Sequence, residues 1–185
     1  MNLSIFSNIR PKNAVLCFLL GIEAEFVSSN ILTLIMERLP ATGLEYKENI
    51  SSVFSNDLVT VLRVVLVGPV VEELFFRGLV LWLSGLVIPF FAANIVQALL
   101  FGVYHMNLVQ GIYAFLLGLL MGYIKKCTGS LIPCILFHIA FNMTGLLIDD
   151  FMPPTSDAVR VVMMILFLAA CVFTLRKLVC DRQTS

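Results

Sequence analysis

The feature that most limits this chain is a series of long, uninterrupted apolar runs. Six occur, over residues 13–36, 58–83, 88–104, 111–124, 131–148 and 158–175. A helix needs about 20 apolar residues to cross ~30 Å of hydrocarbon. Most of the runs approach that length, and the fourth reads as short. Lipid offers a backbone no hydrogen-bond partner, so each run must satisfy itself as a helix. Membrane barrels use short alternating strands, and these runs are continuous. The expected fold is therefore all-α: a polytopic membrane protein with about six transmembrane helices. We expect a single integral membrane domain over 1–185, with a core bundle over about 58–148 and additional spans over about 13–36 and 158–175.

Composition supports the bilayer as solvent. Hydrophobic residues make up 59% of the 185 and charged residues 13%, against roughly half and a quarter in soluble domains. A globule this small could not hide so much apolar surface. Formal net charge is zero, so nothing directs the chain to nucleic acid. Cys17, Cys127, Cys134, Cys171 and Cys180 are scattered, odd in number and without CxxC spacing, which argues against a disulfide framework or a cysteine-rich zinc site. The first run follows Arg10 and Lys12 as a signal peptide would, but it continues to Met36 without a small-x-small cleavage site. We expect it to be a retained helix.

Basic residues give the expected direction of insertion. With the N-terminus inside, Arg10, Lys12, Lys125, Lys126, Arg176, Lys177 and Arg182 fall on the cytoplasmic side, and Arg38, Lys47 and Arg160 on the other. The positive-inside rule then places both termini in the cytoplasm. The expected location is the plasma membrane, with the polar connection over 37–57 outside. Gly118 and Gly122 form a small-xxx-small pair on the fourth run, which allows close helix approach and is read as ordinary packing. Trp82, near a span end, fits an interfacial anchor.

In a bilayer the informative residues are the costly ones. Asp, Arg or Lys at mid-membrane costs ~2.5–3.5 kcal/mol on insertion scales, so such a residue is a functional candidate by default. The second run carries Glu72, Glu73 and Arg77, the third ends at His105, and the fifth carries His138 and Asn142. Glu73 and Arg77, four apart, share a helix face and can neutralise each other. Glu72 is rotated by about 100° from Glu73 and lacks that partner, as suits a general base. His138 and Asn142 also share a face, as do Phe101 and His105, so the Phe101 ring could wall the site. Pro69 precedes Glu72 by one turn and should kink or restart its helix. Pro133 is read as a second break, before His138. Such breaks at membrane depth need protein or water to satisfy the freed backbone, so a wet pocket is expected nearby. His105 lies late in its span, leaving a depth mismatch with Glu72 on the order of 10 Å at 1.5 Å per residue. Glu23 and Glu25 interrupt the first run. Two apart, they cannot both face one pocket, and the first helix is read as tilted or partly interfacial. Asp149 and Asp150 are read as a solvated turn.

Glu72-Glu73-x-x-x-Arg77, Phe101-x-x-x-His105 and His138-x-x-x-Asn142, in that order, resemble the motifs of the CAAX protease and bacteriocin-processing family, also called the Abi family. The strings GPVVEELFFRG (68–78) and GSLIPCILFHIAFN (129–142) look like the family's motif surroundings. EExxxR alone is a weak signal, and three ordered motifs on predicted spans are a strong one. The resemblance covers about 58–148. It implies a glutamate-dependent membrane endopeptidase in which Glu72 and His105 hold and activate a water. His138 and Asn142 would stabilise the oxyanion, and Glu73, Arg77 and Phe101 would support the site. It implies a peptide or protein substrate, membrane-associated as in relatives that trim prenylated proteins or process bacteriocins, and no cofactor.

Four other readings compete. Glu72, His105 and His138 could form a His₂Glu zinc site with an open position, which the resemblance disfavours. Cys134 stands one turn before His138, but a buried thiol is ordinarily inert. The same fold could also serve without catalysis as an immunity or peptide-binding protein, or the intramembrane Glu and His could mark a small transporter or proton relay.

Overall fold

The computed structural model describes residues 10–38, 58–151 and 156–183. Among these residues the elements are all helices, arranged as six rods: α1 (Pro11–Arg38), α2 (58–84), α3 (Phe90–Tyr104), α4 (Leu108–Thr128), α5 (Ile132–Phe151) and α6 (Asp157–Gln183). By length and apolarity α1, α4 and the Asp157–Leu178 part of α6 can each cross a membrane. The chain is thus a polytopic helical membrane protein. The connection expected outside lies, from residue 39 to 57, beyond the described residues.

The fourth run, expected to be short, is a helix of 21 residues. Its ends extend into polar sequence because each is capped. The Asn107 side chain accepts the Gln110 N–H at 3.0 Å, which supplies an N-cap. At the far end Gly129 turns left-handed at φ 72° and gives its N–H to Lys125 O, as glycine after a helix commonly does. Pro133 is not a break. It falls in the first turn of α5, where its missing N–H is no loss. Asp149 and Asp150 continue α5 instead of forming a turn.

Close approach is bought with glycine. A Cβ at Gly21 of α1 would lie 2.2 Å from the Phe137 carbonyl oxygen of α5. On α4, Cβ atoms at Gly111, Gly118 and Gly122 would meet Gly102, Ala98 and Asn94 of α3 at 3.0 Å or less. Small residues let membrane helices touch along their backbones, and here the contact carries polar bonds. Asn94 Nδ2 donates to Leu119 O at 3.0 Å, and Gln97 Nε2 to Gly118 O at 2.8 Å. Glu23 and Glu25 diverge as their spacing requires: Glu23 accepts from Thr174 of α6 at 3.1 Å, whereas Glu25 accepts from Ser29 and faces Gly145 of α5. The ends of α1 and α6 are joined by Arg160 with Glu37 and by Arg38 with Asp157.

Candidate active site

α2 carries the site, and it is not a uniform helix. It runs as α (Leu58–Leu62), π (Arg63–Val67), α (Gly68–Glu73), π (Leu74–Val80) and α again (Leu81–Ser84). The first expansion has a local cause. Pro69 lacks an N–H, and its ring would clash with the carbonyl four residues back. The chain widens before it, and Gly68 N–H reaches five residues back to Arg63 O. Single expanded turns of this kind are frequent at functional sites. The expected kink or restart at Pro69 thus takes the form of an expansion, and the short α turn between the two expansions holds both Glu72 and Glu73.

Glu73 and Arg77 are fully buried and paired, Arg77 NH1 to Glu73 Oε1 at 2.8 Å. The guanidinium also lies over the Phe101 ring, 4.2 Å from its centroid, in cation–π contact. Its seat exists because α4 presents Gly118 there: a Cβ at that position would stand 3.3 Å from Arg77 NH2. The same Glu73 oxygen receives His138 Nδ1 at 3.0 Å. On the other side of that ring, Nε2 stands 3.7 Å from Glu72 Oε2. His138 therefore lies between the two carboxylates, bonded to Glu73 through Nδ1 and facing Glu72 with Nε2. Glu72 differs from its neighbour in exposure: its side chain is 19% open, against none for Glu73.

His105 closes α3, and Met106 behind it turns left-handed at φ 54°. His105 Nδ1 is 2.8 Å from Phe101 O. A carbonyl only accepts, so this nitrogen carries the proton and Nε2 is the free one. His138 follows the same logic, its Nδ1 bound to a carboxylate. Both rings thus have Nδ1 tied to an acceptor. Both meet Phe101 edge to face, at centroid distances of 4.8 Å for His105 and 5.8 Å for His138. Through this shared ring His105 is brought to the neighbourhood of His138, across the expected depth mismatch.

Asn142, one turn beyond His138, donates Nδ2 to Val64 O at 3.0 Å. Val64 lies in the first expanded stretch of α2. Cys134 is turned away: its thiol donates to Met121 O of α4 at 3.3 Å. Among the described residues no group of three His, Cys, Asp or Glu side chains is arranged to hold a metal ion.

Three polar residues here were not singled out from sequence. Asn94 and Gln97 are three apart on an apolar helix, the same signal that marks His138 and Asn142. Lys125 is buried, and its Nζ donates to Arg77 O at 2.7 Å. It is a tertiary ligand within the bundle, where the sequence reading expects a cytoplasmic charge. The signal was its place in the stripe Gly118, Gly122, Lys125, which faces the bundle.

Apolar helices enclosing a buried carboxylate–imidazole–amide cluster define a membrane protein with an internal polar site. Within that class the family is specific. Residues 54–144 match the family described as type II CAAX prenyl endopeptidase, Rce1-like, and this segment, which carries all three motifs, belongs to it. No curated protein and no solved structure matches the chain. The family is one of CAAX-type endopeptidases, membrane hydrolases acting on peptide or protein substrates.

Proposed function

We propose that this chain is an intramembrane-type endopeptidase that hydrolyses a peptide bond with a water activated by Glu72. The supporting observation is the partly open Glu72 carboxylate 3.7 Å from Nε2 of His138, whose Nδ1 is engaged by Glu73, with His105 on the Phe101 ring that His138 also meets. Glu72 accepts a proton from the water, whose other hydrogen-bond partner is the free Nε2 of His105. The hydroxide adds to the scissile carbonyl. The developing oxyanion takes donors from the second N–H of the Asn142 amide and from His138 Nε2 when that nitrogen is protonated. Glu72 then returns the proton to the leaving amine. Glu73, with Arg77 as its counter-ion, orients His138 from behind.

The reaction needs no metal in this reading. Glu72 itself takes the water's proton, and the engaged Nδ1 atoms of His138 and His105 fix the two rings around it. The substrate is a membrane-associated peptide or protein. Both termini lie in the cytoplasm and the location is the plasma membrane, on the remaining basic residues Arg10, Lys12, Lys126, Arg176, Lys177 and Arg182.

The test is cleavage by purified protein of a peptide library containing farnesylated and unmodified members. The expected result is hydrolysis that persists after a zinc chelator. No cleavage of any member by folded protein contradicts the peptidase reading. Activity lost to chelation and restored by stoichiometric zinc contradicts the metal-free one.

A further inference from the structure

Two carbonyls of α2 share one circumstance. In an α ladder Gly68 N–H would serve Val64 O, but it reaches Arg63 O instead. Leu81 N–H would likewise serve Arg77 O, but it reaches Phe76 O. Each expansion thus diverts the amide that regular spacing would give to one carbonyl. In both places a side chain from another helix supplies a donor: Asn142 of α5 to Val64 O at 3.0 Å, and Lys125 of α4 to Arg77 O at 2.7 Å. The two ligated carbonyls bracket the turn that bears Glu72 and Glu73.

We propose that Lys125 is a positioning residue of the active site, holding the second expansion of α2 open so that Glu73 meets His138 and Glu72 projects beside it. The proposal rests on the reading of Glu72 as the base. An ammonium group buried within an apolar bundle is costly unless it is engaged, and Lys125 is 5% exposed. Its neighbour Lys126 has its ammonium over the Phe90 ring at 4.4 Å and is exposed. The two lysines therefore differ in role although they are adjacent in sequence. The carbonyl that Lys125 holds belongs to Arg77, the counter-ion of the same Glu73 carboxylate that meets His138. Without Lys125, the Arg77 carbonyl is left to recover an amide from its own helix. That shortens the expanded stretch and rotates everything before it, Glu73 and Glu72 included, against α5.

The chain has two histidines, so ¹⁵N-histidine spectra report on the site directly, whatever the substrate. Lys125→Met is expected to move the His138 ring resonances, while Lys126→Met leaves them in place. In the cleavage assay Lys125→Met should lower kcat about 10–10²-fold with KM nearly unchanged, the pattern of a displaced catalytic group. Lys125→Gln, which keeps a donor on a shorter side chain, carries the same expectation if the Met variant does not fold. His138 resonances and turnover matching the native protein in the folded variants overturn the proposal. If the native chain cleaves nothing, the reading of Glu72 fails, and the His138 resonances alone decide whether Lys125 positions the turn.

Discussion

α2 and α6 cover equal lengths of chain and could hardly be built more differently. α6 is one unbroken helix from Asp157 to Gln183. Its middle is open to lipid at Val162, Ile165, Leu166 and Phe173, and Thr174 to Glu23 is its inward polar bond among those described. α2 changes helical register twice, buries Glu73 and Arg77 completely, and accepts donors from α4 and α5 into its backbone. The difference shows what a helix that carries a buried polar cluster needs beyond length and apolarity. A regular helix satisfies itself and presents only side chains. An expanded one offers carbonyls, and these let neighbouring helices fix the rotation of the turn that bears the carboxylates.

Three substitutions sharpen or break this contrast. The largest effect is expected at Arg77. Arg77→Met leaves Glu73 buried without its counter-ion and should destabilise the fold by about 3–5 kcal/mol, read as loss of the unfolding midpoint in detergent. A variant as stable as the native protein would mean that the pair does not hold α2. Next is Gly21→Ala, whose Cβ would stand 2.2 Å from Phe137 O. Because the obstacle is backbone, the helices must part, at about 1–3 kcal/mol. The neighbour of Phe137 is His138, so turnover should fall as well. Smallest is Leu166→Ala on α6. This side chain faces lipid whether or not the helix is docked, and the change should stay within about 0.5 kcal/mol, as at positions without a packing role. A large loss there would show that α6 is covered by protein.

Much of this was legible in the sequence, and for a physical reason. Polar groups in hydrocarbon are costly, so Glu72, Glu73, Arg77, His105, His138 and Asn142 stand out against their runs, and four-residue spacing pairs them on faces. The six helices follow from the apolar runs. What was not legible depends on backbone detail. Nothing in the residues around 63–67 or 74–80 tells an expanded turn from a regular one, apart from Pro69 for the first. Hence Val64 O and Arg77 O could not be foreseen as acceptors, nor Asn142 and Lys125 as their ligands. Lys125 misled as well: at a predicted span end it reads as a cytoplasmic charge, whereas the cap at Gly129 extends α4 past it and turns it inward. Pro133 misled because a proline in a first turn and one in mid-helix look alike until the helix start is fixed.

The proposed reaction turns on one carboxylate acting as base while its neighbour serves the imidazole. Turnover of purified Glu72→Gln against the native chain, on one cleaved peptide and at matched unfolding midpoints, tests this most directly. The substitution keeps shape and removes basicity, so the rate should fall about 10²–10⁴-fold with the fold intact. Native-like turnover from folded Glu72→Gln would contradict it.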